Sequence, residues 1–121
     1  MLTIKADKIS VIQKEFNDEF PFLKLEFFKE NQVGYAGVLR PSMITGDRML
    51  KASQKGPGEI QVTEQMPVSI LEQLFHDVFG VAAQVFRKSG NTWLETAMTE
   101  DWTLKRQNDE GLELSRLKRL P

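Results

Sequence analysis

The sequence contains no cysteine and a single histidine, His76. The absence of cysteine excludes disulfide bonds, thiolate nucleophiles and cysteine-ligated zinc or iron–sulfur centres, and it fits a reducing compartment. One histidine without a spaced companion ligand is a weak signal for a metal site or for acid–base catalysis. We therefore interpret His76 as an ordinary surface residue and expect no metal or other cofactor.

Long hydrophobic runs are also missing. None approaches the roughly 18 apolar residues that a membrane-spanning helix needs. The first residues, MLTIKADK, are charged at once and lack the apolar centre of a signal peptide. The sequence therefore predicts a cytoplasmic protein without a membrane partner.

Neither sign of charge dominates. Lys and Arg total 16 and Asp and Glu total 17, so the net charge is −1. Nucleic-acid affinity comes from concentrated positive charge, and this balance argues against a broad phosphate-binding surface. The chain has 121 residues, of which 40% are hydrophobic, and this predicts one domain with its own core.

Apolar side chains at spacings of three and four predict the helices. The clearest helix begins at Pro67 and ends at Gly80, with its apolar face at Val68, Leu71, Leu74, Phe75, Val78 and Phe79. Another ends before Pro21, with its apolar face at Ile9, Ile12, Phe16 and Phe20. A short helix is predicted at 47–53, and a last helix opens at 99–102 and stops at Gly111.

Alternation of apolar and polar residues predicts strands at 22–28 and 59–63, and a hairpin joins 82–88 to 92–97. A three-residue hairpin loop would pair Phe86 with Leu94, whereas a two-residue loop would pair Lys88 with Trp93. The first register keeps the apolar side chains together, and we prefer it.

These elements predict an α+β fold with a four-stranded mixed sheet, helices packed mainly on one face, and the order α-β-(short α)-β-α-β-β-α. The helix between the second and third strands predicts a right-handed crossover, which would make those strands parallel. Residues 1–111 form the expected domain, and residues 112–121 are either a docked helix or a frayed tail. No internal repeat is recognised.

The C-terminal half carries the segment QVFRKSGNTWLET (84–96), followed by TEDWTL (99–104) and by Gln107-Asn108. In these residues, and in FPFLKLEFF (20–28), the chain resembles a group of short bacterial proteins that have no established activity. The resemblance covers most of the chain, with 29–58 matching least. It implies a shared bacterial fold and transfers no catalytic residue.

Glu95, Glu100 and Asp101 are the candidate acids. Paired carboxylates can perform acid–base chemistry or hold a hard cation. Acids at the start of a helix more simply favour the positive end of the helix dipole, and we prefer that interpretation for Glu100 and Asp101.

The candidate interaction surface comprises Arg87, Lys88, Trp93 and Trp102. Basic groups beside an aromatic ring can stack on and neutralise a nucleic-acid strand, but they can equally form a cation–aromatic contact that stabilises the hairpin, which we favour. Two tryptophans exposed near one edge would mark a protein interface, whereas two buried ones would belong to the core. The sequence leaves that choice open.

We expect a non-enzymatic binding or assembly module that self-associates through the C-terminal hairpin. Its partner would be a second copy in a homodimer, or else another protein. A first alternative is a small-ligand-binding protein or small enzyme with a pocket under the glycine-containing segment 33–46. A second is nucleic-acid binding through Arg87, Lys88 and Trp93. The oligomeric state, ligand screening and binding at low salt distinguish the three.

Overall fold

The structure is a computed structural model that describes residues 1–29, 43–44, 46–52 and 58–117. Within these residues the strands are β1 (Leu2–Lys5), β2 (Leu23–Phe28), β3 (Glu59–Val62), β4 (Ala82–Ser89) and β5 (Thr92–Glu95). The helices are α1 (Ile9–Glu19), α2 (Val68–Phe79) and α3 (Leu104–Leu117). None of these three helices has the length and apolar composition needed to cross a membrane.

The described strands form two antiparallel sheets. β1 pairs with β3, and β2, β4 and β5 lie side by side in the order β2-β4-β5. The α+β class is confirmed, but the predicted four-stranded mixed sheet is wrong. The expected parallel pairing is also wrong, because α2 connects strands of two different sheets. β1 lacks a local signal in the sequence, and it pairs with β3, which therefore lies outside the sheet that contains β4.

The two best-defined helices form as their apolar periodicity predicts. Their buried residues recur every three or four positions, which turns one stripe of each helix towards the core. Gly80 ends α2 in the left-handed conformation, with φ 65°, where a side chain would be strained. Ring contacts link the helices to the sheet: Phe27 of β2 meets Phe75 of α2 edge-on, with centroids 5.2 Å apart.

Alternate residues of β2, β4 and β5 divide the three-stranded sheet into two faces. The inner face carries the buried side chains Leu23, Leu25, Phe27 and Val85. The outer face carries Lys24, Glu26 and Phe28 of β2, Ala82, Gln84, Phe86 and Lys88 of β4, and Trp93 and Glu95 of β5, none of which is buried.

The preferred hairpin register is wrong. Ser89 pairs with Thr92 and Lys88 with Trp93, so the loop is the two-residue Gly90-Asn91. Gly90 has φ 63°, which tight two-residue hairpin turns require at their first position. Phe86 consequently lies opposite Glu95 on the outer face, away from Leu94.

The last helix does not stop at Gly111 but continues to Leu117. A Cβ at Gly111 would lie 2.7 Å from the Cβ of Phe22 and 3.3 Å from Cγ of Arg87. Glycine is therefore needed there for close packing of helix against sheet, not for ending the helix. Residues 112–117 of the predicted tail belong to α3, and 118–121 lie outside the described residues.

The helix predicted at 47–53 is absent from residues 47–52; residue 53 lies outside the described chain. This segment instead caps the N-terminus of α1 with hydrogen bonds. Asp47 accepts hydrogen bonds from the Ser10 N–H at 3.1 Å and from the Ser10 hydroxyl at 2.9 Å. These bonds lower the pKa of Asp47, the backbone bond being the larger cause. Asp47 thus satisfies an N–H that α1 leaves without a partner inside the helix.

Two equivalent units follow one another in the chain, residues 2–50 and 59–104, although no repeat was recognised in the sequence. Among the described residues, each unit begins with strand, helix, strand (β1-α1-β2 and β3-α2-β4), and the second unit adds β5. Both cross-unit strand pairs, β1–β3 and β2–β4, are antiparallel. The helices align as ISVIQKEFNDEF (9–20) on VSILEQLFHDVF (68–79). Equivalent rings touch within each helix: the centroids of Phe16 and Phe20 are 5.3 Å apart, and those of Phe75 and Phe79 are 5.9 Å apart.

The first backbone N–H of α1 and that of α2 are each hydrogen-bonded to a carbonyl from a distant loop. The Ile9 N–H donates to the Arg48 carbonyl at 2.8 Å, and the Val68 N–H donates to the Trp102 carbonyl at 3.0 Å. In both units a buried leucine then donates its N–H to the loop before the helix, Leu50 to Asp7 and Leu104 to Met66, each at 2.9 Å. The repeat therefore includes the loop residues that hydrogen-bond to the start of each helix, as well as the strands and helices.

Candidate functional site

The structure divides the predicted interaction residues into two pairs on opposite faces of the sheet. Arg87 lies on the inner face and contacts Trp102, with its guanidinium carbon 5.6 Å from the ring centroid. Lys88 and Trp93 oppose one another on the outer face. Arg87 and Trp93 therefore cannot act together on one bound strand, and the two tryptophans do not share a face.

Arg87 and Trp102, the pair on the inner face, both contact side chains of α3. Arg87 Nη1 donates to Gln107 Oε1 at 2.8 Å, and the buried Gln107 amide donates to the Thr99 carbonyl, also at 2.8 Å. The guanidinium carbon of Arg106 also lies over Trp102, 3.7 Å from the ring centroid. These contacts give Arg87 and Trp102 a structural role.

The outer-face cluster consists of Lys24, Phe86, Lys88 and Trp93. Lys24 Nζ lies 5.4 Å from the Phe86 ring centroid and 5.1 Å from that of Trp93. Lys88 Nζ lies 5.9 Å from the Trp93 ring. Sequence reasoning omitted Lys24 and Phe86, although their positions on the polar side of alternating strands were a usable signal.

Among the strands that the structure describes, β5 is the last in the three-stranded sheet. The hydrogen-bonded pairs with β4 involve Thr92 and Leu94, so the backbone N–H and C=O groups of Trp93 and Glu95 point away from β4. Apolar side chains stay exposed beside this edge: 42% of Leu94 and 96% of Met98. An unpaired strand edge with exposed apolar side chains is a template for pairing with another chain.

An open cleft of about 340 Å³ lies between α2 and the start of β4. Its walls come from α2, from the first residues of β4 and from the turn after β5. The lining residues are Ser69, Glu72, Gln73, His76, Ala82, Ala83 and Glu100.

Glu72 forms the inner part of this cleft. Its Oε2 accepts a hydrogen bond from the Val85 N–H at 3.1 Å, while the Val85 carbonyl accepts from the Thr96 N–H at 3.3 Å. The Glu72 carboxylate therefore accepts the Val85 N–H in place of the carbonyl that a longer β5 would supply. The pKa of Glu72 is raised to about 7: burial is the largest cause, the Val85 hydrogen bond opposes it, and the nearby Glu100 carboxylate adds to the rise.

The structure distributes the other candidate residues differently from the sequence interpretation. Of the acids Glu95, Glu100 and Asp101, Glu100 lines the cleft, whereas Glu95 lies on the outer face of β5. His76 also lines the cleft, with Nδ1 3.2 Å from Asp77 Oδ1. The expected pocket under 33–46 falls mostly on residues outside the described chain.

Glu72 was missed because its position on α2 resembles that of any polar residue on an amphipathic helix. Glu72 is partly buried because β4 packs beside α2, and no pattern in the sequence around Glu72 predicts that contact. Among the described residues, no group of three or more His, Asp or Glu side chains is placed to hold a metal ion. No protein-family model, curated protein or solved structure matches this chain.

Proposed function

We propose that this chain is a non-enzymatic assembly module that binds a second copy of itself through the C-terminal hairpin. The observation that carries the proposal is the outer edge of β5, which no strand among the described residues covers and which adjoins the half-buried Trp93 and the exposed Leu94. Strand edges of this kind favour pairing with another chain, and tryptophan is enriched in protein interfaces.

A two-fold dimer allows a specific register. If two β5 strands pair antiparallel about Leu94, each Trp93 forms backbone hydrogen bonds with Glu95 of the other copy. The two Leu94 side chains then meet as a non-hydrogen-bonded pair, in which side chains approach most closely. This register gives partners to the Trp93 and Glu95 backbone groups that point away from β4, and it covers the exposed leucine, as an isologous interface requires.

The charges of the outer face favour a protein partner over nucleic acid. Lys24 and Lys88 are accompanied on this face by Glu26 and Glu95, and Lys24 Nζ lies 3.6 Å from Glu26 Oε1. A phosphate-binding surface needs concentrated positive charge, which this pattern does not supply. Nucleic-acid binding predicts a measurable anisotropy change with single or double strands at low salt, which we do not expect.

Light scattering at micromolar concentrations tests the proposal. We expect the wild-type mass to rise with concentration towards that of a dimer, and we expect Trp93→Ala to shift the transition to at least tenfold higher concentration. Ile70→Ala is the matched control, because Ile70 is an exposed apolar residue on α2, 49% accessible and outside the hairpin. A monomer at every concentration, or equal shifts in both variants, would contradict self-association through the hairpin.

A further inference from the structure

The segment after β5, residues 96–100, connects β4 to α2 through hydrogen bonds at both of its ends. The N–H and the hydroxyl of Thr96 both donate to the Val85 carbonyl, at 3.3 and 2.8 Å. The Glu100 carbonyl accepts from the Ser69 N–H in the first turn of α2, at 2.8 Å. The first contact also fixes the end of β5, because Thr96 directly follows the last residue of that strand.

Glu72 lies between these two contacts. On α2 it follows Ser69 by one helical turn, and its carboxylate accepts from the N–H of Val85, whose carbonyl holds Thr96. Burial raises the pKa of Glu72, and the negative charge of Glu100, which lines the same cleft, adds to the rise. The segment after β5 therefore brings a second carboxylate beside one that is already partly buried.

No Lys or Arg side chain lines this cleft among the residues that the structure describes. His76 is the remaining titratable group of the lining, and its Nδ1 lies 3.2 Å from Asp77 Oδ1. The ion pairs of the described residues include neither Glu72 nor Glu100. A negative charge on Glu72 is therefore opposed by burial and by Glu100, and no described Lys or Arg of the lining offsets it. The other lining side chains are Ser69 and Gln73 of α2 and Ala82 and Ala83 of β4.

We infer that loss of the Glu72 proton releases the 96–100 segment from β4 and α2, so that the end of β5 becomes mobile above neutral pH. Once the segment moves away, water reaches both carboxylates and the cost of the Glu72 charge falls. The closed arrangement binds the Glu72 proton more tightly than the open one. It is therefore favoured at low pH and loses stability as the pH rises through the raised pKa of Glu72.

This release would regulate assembly, a consequence that rests on the proposed function. In the register about Leu94, Glu95 forms backbone hydrogen bonds with Trp93 of the other copy. When Thr96 leaves Val85, the end of β5 frays and Glu95 is no longer held in line with its partner. The dimer should therefore be tighter below neutral pH than above it.

Amide hydrogen exchange measured by NMR tests the release itself. Trp93→Ala is the background for this measurement, because it weakens the proposed dimer and lies on the outer face, away from the cleft. We expect the protection of the Ser69 and Thr96 amides, corrected for the intrinsic pH dependence of exchange, to fall about threefold between pH 6 and pH 8.

Three controls assign the effect to Glu72. Glu72→Gln carries no charge but can still accept from the Val85 N–H, so it should stay folded and abolish the fall in protection. His76→Gln removes the other cleft group that can titrate near neutral pH, and it should keep the full fall. The Ile44 N–H, which donates to β2 in the first unit, should keep its protection at both pH values.

Light scattering of the otherwise unaltered chain at pH 6 and pH 8 tests the effect on assembly. The dissociation constant of the dimer should rise about threefold at pH 8, and it should not rise in Glu72→Gln. Unchanged Thr96 protection, an equal fall at Ile44, or an undiminished fall in Glu72→Gln would overturn the inference. A dimer of equal affinity at both pH values would overturn the regulation of assembly. A monomer at both pH values whose Thr96 responds as expected would support the release and contradict the proposed dimer.

Discussion

Gln13 in α1 and Glu72 in α2 occupy equivalent positions, and each binds a backbone group on the edge of the strand that follows its helix. Gln13 Nε2 donates to the Leu25 carbonyl at 2.9 Å, whereas Glu72 Oε2 accepts from the Val85 N–H at 3.1 Å. Replacing an amide with a carboxylate reverses which partner donates. It also places an ionisable group where the first unit has a neutral one.

Glu72→Gln should change how stability depends on pH. Burial raises the pKa of Glu72 from 4.5 to about 7, so the folded state binds the proton more tightly than the unfolded state does. The wild type should therefore lose stability as the pH rises from about 4.5 to 7, by roughly 1 kcal/mol once solvent screening is allowed for. Urea unfolding at pH 5 and pH 8 measures this loss, which the variant should not show.

Glu113→Gln provides the control for that comparison, because it removes an exposed carboxylate from α3 without touching the cleft. It should keep the wild-type difference between pH 5 and pH 8. An undiminished difference in Glu72→Gln would show that another group causes the pH dependence.

Gly111→Ala should destabilise the protein even though alanine is the better helix former. The added Cβ would lie 2.7 Å from the Cβ of Phe22 and 3.1 Å from its carbonyl oxygen, so the helix has to move away from the sheet. We expect a loss of about 1–3 kcal/mol in the free energy of unfolding, as for other overpacked sites. Denaturant unfolding checks this, with exposed Glu113→Ala expected within about 0.5 kcal/mol of wild type. A gain in stability would refute the close packing.

The equivalence of the two units predicts matched effects of matched substitutions. Phe16 and Phe75 are fully buried at equivalent positions, and replacing either with alanine should cost about 3–5 kcal/mol. Their side chains enter one core, so each variant should still unfold in a single transition. The equivalent exposed residues Val11 and Ile70 are the controls, and their alanine variants should differ little from wild type. Separate melting of one unit in calorimetry would contradict a shared core.

The sequence predicted the elements whose signals are local. The helices at 9–19 and 68–79 follow from apolar spacing, and the Gly80 end of α2 follows from the left-handed conformation that glycine allows. The wrong conclusions concern long-range choices. β1 is only four residues long, and its pairing with β3 depends on contacts between residues 54 to 60 positions apart, so the strands were assigned to one sheet.

The hairpin register shows why local apolar matching misled. Matching Phe86 with Leu94 ignores Arg87, whose guanidinium enters the inner side to meet Gln107 and Trp102. Gln107 and Trp102 follow the hairpin in the sequence, so no pattern within the hairpin predicts these contacts. The same holds for the candidate site: Trp93 was recognised as an interaction residue, but the cleft around Glu72 exists only once α2 and β4 are packed together.

The absence of native cysteine allows a direct measurement of the proposed dimer. In the register about Leu94, a Leu94→Cys side chain would face its copy across a non-hydrogen-bonded pair, with Cα atoms about 4.5 Å apart, within the range of disulfides. Under mild oxidation at micromolar concentration we expect rapid, nearly complete cross-linking of Leu94→Cys and slow cross-linking of Leu112→Cys, an exposed site on α3. Equal rates at the two positions would contradict assembly through β5.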